Sequence, residues 1–125
     1  MMAKAPNGGL YYICNPNNPT GTLTPREDIL WALENKPKGS ILLVDEAYIH
    51  LSDGGSVIDQ VALDKDLIVL RTFSKVYGMA GIRCGLAVGR PDLLRKLKVY
   101  LQNPMPVTAS AAAYVSLLDT DLVKT

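Results

Sequence analysis

The sequence carries no run of like charge, no metal-ligand spacing among its cysteines, and no apolar stretch long enough to span a bilayer. Each absence removes a class of function. Its 13 basic and 12 acidic residues are interspersed and leave a formal charge of +1, so neither a nucleic-acid groove nor a membrane surface is indicated. A small anionic ligand, which needs only a local site, remains open. Cys14 and Cys84 lie far apart in apolar surroundings, and nothing at Met1-Met2-Ala3-Lys4 has the form of a signal peptide. The expectation is a soluble protein of the reducing cytoplasm. Every apolar stretch is soon interrupted by Asp45, Arg71, Arg83 or a proline-rich bend. No internal repeat or low-complexity tract is present.

What is present suits one modest core. At 125 residues and 48% apolar content, a single domain over 1–125 is expected, with an irregular lead-in over 1–9. Leu10-Tyr11-Tyr12-Ile13-Cys14 reads as a strand, stopped by Asn15-Pro16-Asn17-Asn18-Pro19-Thr20-Gly21, whose prolines lack donors and whose asparagines favour tight turns. Thr24-Pro25-Arg26-Glu27 predicts a helix start, with Thr24 as N-cap and Glu27 closing a capping box, and a helix end near Asn35. Ile41-Leu42-Leu43-Val44 predicts a parallel strand covered on both faces and ending in Asp45-Glu46-Ala47-Tyr48. Residues 57–63 are weakly helical, and Leu67-Ile68-Val69-Leu70 and Gly85-Leu86-Ala87-Val88-Gly89 are the next strands.

The connection from Leu70 to Gly85 is too short for a crossover helix with its turns, so the fourth strand is expected to run antiparallel to the third. Residues 92–101 read as an amphipathic helix presenting Leu93, Leu94, Leu97 and Leu101, broken by Asn103-Pro104-Met105-Pro106. A last helix opens at Thr108 or Ser110. The fold class is therefore α/β: a three-layer, mostly parallel sheet of about four strands, the last antiparallel, with helices on both faces. Such sheets bind ligands beyond the carboxyl ends of their parallel strands. The polar segments 15–21, 45–48 and 72–75 should meet at that edge.

That edge gathers Asn18, Asp45, Tyr48, Ser74, Lys75 and Arg83. A lysine can form an imine with an aldehyde, a buried aspartate can keep a pyridine nitrogen protonated, and an arginine can clamp a phosphate bidentately. Together they point to an aromatic phosphate cofactor rather than a hydrolytic centre. Taken singly, each group has a plainer reading. Lys75 could be a snorkelling surface lysine, Asp45 a turn cap and Arg83 a structural ion-pair partner. His50 has no evident partner and reads as a loop residue; Trp31, Tyr77 and Tyr100 read as packing groups.

Asn15-Pro16-Asn17-Asn18-Pro19-Thr20-Gly21, Asp45-Glu46-Ala47-Tyr48, and Thr72-Phe73-Ser74-Lys75 with Arg83 eight residues on resemble, in order and spacing, the pyridoxal-phosphate aminotransferases of fold type I, closest to the histidinol-phosphate aminotransferase-like branch. The resemblance runs from about Leu10 to the end. It implies Lys75 as the catalytic lysine that holds pyridoxal 5'-phosphate and moves a proton. Asp45 is implied as partner of the ring nitrogen, Asn18 and Tyr48 as partners of the phenolic oxygen, and Thr72, Ser74 and Arg83 as phosphate ligands, with the Asn18–Pro19 bond often cis and no metal.

The implied partners are an amino acid or amine and a 2-oxo acid, in a homo-oligomer. Val76 and Cys84 depart conservatively from the family's usual residues. Family members are much longer, so the 125 residues resemble the central part of the large, cofactor-binding domain and would be weak or silent alone. Two other readings fit parts of the sequence. One is a non-enzymatic fragment that self-associates through uncovered edges. The other is a P-loop nucleotide hydrolase fragment, because Ile41 to Glu46 also suits a magnesium-binding strand; it is disfavoured because no Gly-x-x-x-x-Gly-Lys-Ser/Thr loop exists. The absence of Gly-x-Gly-x-x-Gly after a strand likewise disfavours a dinucleotide-binding module.

Overall fold

The computed structural model describes residues 9–101 and 104–123. The lead-in expected over 1–9, apart from Gly9, and the break at Asn103 lie outside the described residues. Four strands form, β1 (Leu10–Cys14), β2 (Ile41–Asp45), β3 (Leu67–Thr72) and β4 (Gly85–Gly89), in the order β1-β2-β3-β4. The first three are parallel, and β4 runs antiparallel to β3. The short β3–β4 connection thus reverses the chain, as its length requires. Among the described residues three α-helices accompany the sheet, α1 (Arg26–Asn35), α2 (Pro91–Lys98) and α3 (Val107–Leu118), with three short 3-10 segments in the connections.

Side chains alternate across a strand, and one face of this sheet carries the core. Leu42, Val44, Leu67 and Val69 are buried there against Ile29 and Leu33 of α1 and against Val57. A second cluster joins Phe73, Cys84, Ala109 and Ala113, fastening α3 to the β3–β4 connection. Ile68 and Gly89 point to the other face. A Cβ at Gly89 would stand 3.2 Å from the Ile68 side chain and 3.5 Å from Leu94, so the absent side chain lets α2 approach the sheet. Because Leu42 is wholly buried, Leu42→Ala should cost about 2–5 kcal/mol. Urea unfolding would show this as a lower midpoint with an unchanged slope.

Several local expectations are corrected. No capping box forms: α1 has Pro25 at its N-cap and no side-chain cap. The box needs Glu27 to accept the Thr24 N–H, and that donor goes to Asn15 Oδ1 at 2.8 Å. The amphipathic helix stops at Lys98 rather than Leu101. Only Leu93 of its leucines is buried, and Leu97 and Leu101 are exposed, because only the first turn of α2 lies against β4. Trp31 and Tyr100 are exposed as well, so neither packs a core among the described residues. Tyr77 does pack, with its ring 4.9 Å from that of Phe73.

Candidate active site

The carboxyl ends of β1, β2 and β3 release the three polar segments side by side. After β1, buried Asn15 ties the loop shut by pairing twice with the backbone of Thr24, accepting from its N–H and donating to its carbonyl at 3.2 Å. The Asn15–Pro16 and Asn18–Pro19 peptide bonds are both cis. Asn18 comes to the surface and donates from Nδ2 to the Tyr48 hydroxyl, at 3.4 Å. The loops after β1 and β2 therefore meet.

The loop after β3 is anchored from both sides of Lys75. Phe73 plugs into the α3 cluster, and its N–H continues the β3–β4 ladder to the Cys84 carbonyl at 3.2 Å. The Gly78 N–H returns to the Lys75 carbonyl at 2.8 Å, with Gly78 at φ 65°, a conformation that glycine adopts without a Cβ clash. Lys75 Nζ then stands 5.0 Å from the centre of the Tyr48 ring, within cation–π reach. Among the described residues it forms no ion pair or hydrogen bond.

Asp45, Ala47, Thr72, Ser74, Lys75 and Arg83 line one open cleft of about 450 Å³. Asn18 and Tyr48 line an adjoining hollow of about 330 Å³ with the prolines of the first loop. The Thr72 hydroxyl accepts the Ser74 N–H at 3.1 Å. Arg83 sits at φ 59°, in the left-handed region that costs a non-glycine residue about 1–2 kcal/mol. Among the described residues its one side-chain hydrogen bond runs from Nη1 to the Ala80 carbonyl at 3.0 Å. It has no ion-pair partner among the described residues, against the structural reading of this arginine. The cleft thus holds two cations without anionic partners, beside one carboxylate.

Asp45 is half-buried rather than buried. Its Oδ1 accepts the Ala47 N–H at 3.0 Å and its Oδ2 accepts the Tyr12 hydroxyl at 2.9 Å. The fully buried carboxylate is the next residue, Glu46, on the opposite face. Its Oε1 accepts the Val57 N–H at 2.8 Å, and its Oε2 accepts from Ser56 Oγ at 2.7 Å and Arg71 Nε at 2.8 Å. Arg71 also donates from Nη2 to Ser56 Oγ at 2.8 Å.

His50 is part of this cluster, with Nε2 2.8 Å from Arg71 Nη1 and its ring edge-on to Tyr77, which corrects the reading of it as partnerless. An arginine only donates, so Nε2 must be the bare acceptor and the proton sits on Nδ1. Burial, then the Arg71 charge, lowers the His50 pKa from the ordinary 6.5, against a raising effect of Glu46. The stability His50 contributes is therefore full above about pH 6.5 and lost as pH falls through its depressed folded value. His50→Gln should flatten the fall in melting temperature between about pH 7 and 5. An unchanged slope would remove His50 as its source.

The class I and II aminotransferase family profile matches residues 2–124. Histidinol-phosphate aminotransferase 2 of Legionella pneumophila strain Lens is 41% identical over 120 residues, covering 93% of this chain and 32% of that protein. The Vibrio campbellii histidinol-phosphate aminotransferase is 38% identical over 123 residues, covering 98% and 36%. Among solved structures, a putative histidinol-phosphate aminotransferase from Erwinia carotovora atroseptica superimposes with a TM-score of 0.91 at 31% identity, covering 98% of this chain and 37% of that one. The Sinorhizobium meliloti histidinol-phosphate aminotransferase in complex with pyridoxal 5'-phosphate superimposes with a TM-score of 0.81 at 34% identity, covering 92% and 32%. The chain spans about a third of the length of the curated relatives it matches. It belongs to the class I and II aminotransferases.

Proposed function

We propose that these residues form the cofactor-binding centre of a pyridoxal-phosphate-dependent aminotransferase that moves an amino group between an amino acid or amine and a 2-oxo acid. The single observation that carries the reading is the cleft in which Lys75 and Arg83, both without anionic partners among the described residues, face Asp45. That donor set fits the cofactor: a primary amine for its aldehyde, a guanidinium with two hydroxyls for its phosphate, and a carboxylate for its ring nitrogen.

When bound, the cofactor supplies an electron sink for charge that develops at the substrate's α-carbon. Lys75 Nζ would be the amine that meets the aldehyde and the base that holds or moves a proton at that carbon. Asp45 keeps a proton on the ring nitrogen by offering it a negative partner. Asn18 Nδ2 and the Tyr48 hydroxyl would donate to the phenolic oxygen, while Thr72, Ser74 and Arg83 would hold the phosphate. The test is to expose the chain to pyridoxal 5'-phosphate, reduce with borohydride and map the peptides. Modification concentrated on Lys75 is expected; modification spread evenly over the lysines would refute the assignment.

Arg83 offers a second check. Its left-handed backbone favours glycine, so Arg83→Gly should leave folding stability within about 1 kcal/mol. The same change should weaken cofactor binding about tenfold or more, the worth of a charged hydrogen-bonded contact. Equal affinity by equilibrium dialysis would remove Arg83 from the phosphate site.

The 125 residues alone are further proposed to be the central part of a large domain, to self-associate and to turn over poorly. Val99, Tyr100, Leu101, Val107, Tyr114, Val115 and Leu118 are all exposed, an apolar surface of the kind that drives association. Light scattering after size exclusion should give a mass above 13.5 kDa; a stable monomer would contradict it. No described helix is long and apolar enough to cross a membrane, and no described group of three or more His, Cys, Asp or Glu could hold a metal.

A further inference from the structure

We propose that Tyr12 is a positioning residue for Asp45, its phenol hydroxyl fixing the carboxylate at the cleft wall so that the remaining lone pairs meet the cofactor's ring nitrogen. The inference rests on the functional reading above and adds a residue outside the three motifs. In the β1–β2 register, Cys14 lies opposite Asp45 and Tyr12 opposite Leu43. Tyr12 is therefore the diagonal same-face neighbour of Asp45, a separation that an aromatic side chain spans and a short one does not. The hydroxyl donates to Oδ2 at 2.9 Å.

With the Ala47 N–H on Oδ1, both carboxylate oxygens are held by donors from outside the cleft cations. A carboxylate accepts at about four positions, which leaves room for a ring N–H. Tyr12 does not line the cleft, so it acts on the cofactor only through Asp45. The residue is 58% exposed, and packing alone does not account for a tyrosine here. Neighbouring Tyr11 shows the contrast: it packs against the main core cluster, and its buried hydroxyl has no hydrogen-bond partner among the described residues.

The hydrogen bond to Asp45, followed by burial and the neighbouring Cys14, pushes the Tyr12 phenol above the ordinary tyrosine range. It thus remains a neutral donor through the ordinary tyrosine range. Asp45 from β2 and Cys14 on its own strand are the titratable groups that face it.

Two measurements test the proposal. The first needs no cofactor: the chain is labelled with ring-¹³C tyrosine and titrated by NMR. Tyr12 should stay neutral through the ordinary tyrosine range, near pH 10, and should move back toward that range in Asp45→Asn. Titration of Tyr12 within the ordinary tyrosine range in the unmutated chain would overturn the proposal. The second follows the absorbance of the imine formed with pyridoxal 5'-phosphate. Tyr12→Phe should weaken cofactor binding several-fold and raise the pH of the imine's colour change by about half a unit or more, because a less firmly held pyridinium withdraws less charge. Placed on Asp45→Asn, the same change should do nothing further, as expected for a residue acting through one partner. Independent, additive losses would also sink the proposal. No imine with the unmutated chain would instead overturn the functional reading and the role given to Tyr12 with it, and the phenol titration would still report whether the contact exists.

Discussion

Lys75→Ala should abolish the visible imine band that pyridoxal 5'-phosphate forms with the unmutated chain. Any exposed lysine reacts weakly and reversibly with an aldehyde, and Lys75 differs from the others in its surroundings. Lys36 is engaged with the Ser40 carbonyl and Asp66, and Lys65 with Gln60 and Glu34. Lys75 instead lies over the Tyr48 ring in a loop pinned by Phe73 and Gly78, beside the groups that would hold the phosphate and ring. Holding amine and aldehyde together makes the reaction effectively intramolecular, an advantage that reaches about 10⁵ M in effective concentration. Lys75→Arg is the sharper control, because it keeps the charge and removes the nucleophile. Both variants should lose the saturable band while retaining weak binding through Arg83. A saturable band of unchanged intensity in either would remove Lys75 from its role.

Glu46→Ala should be the most destabilising single change in the site region, costing about 3–5 kcal/mol, because it leaves Arg71 buried without its counter-charge. The Glu46 side chain is 0% exposed and that of Arg71 14%, so water cannot replace the lost contacts. The damage should extend to function. Glu46 follows Asp45 and Arg71 precedes Thr72, and the Glu46 N–H bonds the Leu70 carbonyl at 3.0 Å. The pair therefore sets the relative position of two cleft residues from the opposite face of the sheet. Replacing both partners, as in Glu46→Met with Arg71→Met, should recover much of the lost stability, since an apolar pair avoids the desolvation of two charges. Chemical unfolding of the single and double variants measures the difference. A double variant no more stable than Glu46→Ala would show that the loss lies elsewhere.

The capping box illustrates how a locally sound signal is overridden. Thr24, Pro25 and Glu27 have the right spacing, and α1 does begin there. Asn15, nine residues earlier, takes the Thr24 N–H that the box requires. His50 illustrates the converse: nothing near it in the chain announces a partner, because Arg71 arrives from a different strand.

The sequence by itself determined the strands, the reversal of the fourth and the polar segments that follow the first three. These depend on short-range properties: side-chain alternation, turn residues at strand ends, connection length, and motifs whose members each lie within one loop. Only the tertiary structure decided that Tyr12 meets Asp45, that Arg71 and His50 join Glu46, and that Lys75 and Arg83 face a common cleft without anionic partners among the described residues. Those facts depend on register and on which side of the sheet a residue faces. A shift of one position would move every side chain of a strand to the other face, and only the packed sheet selects among such registers.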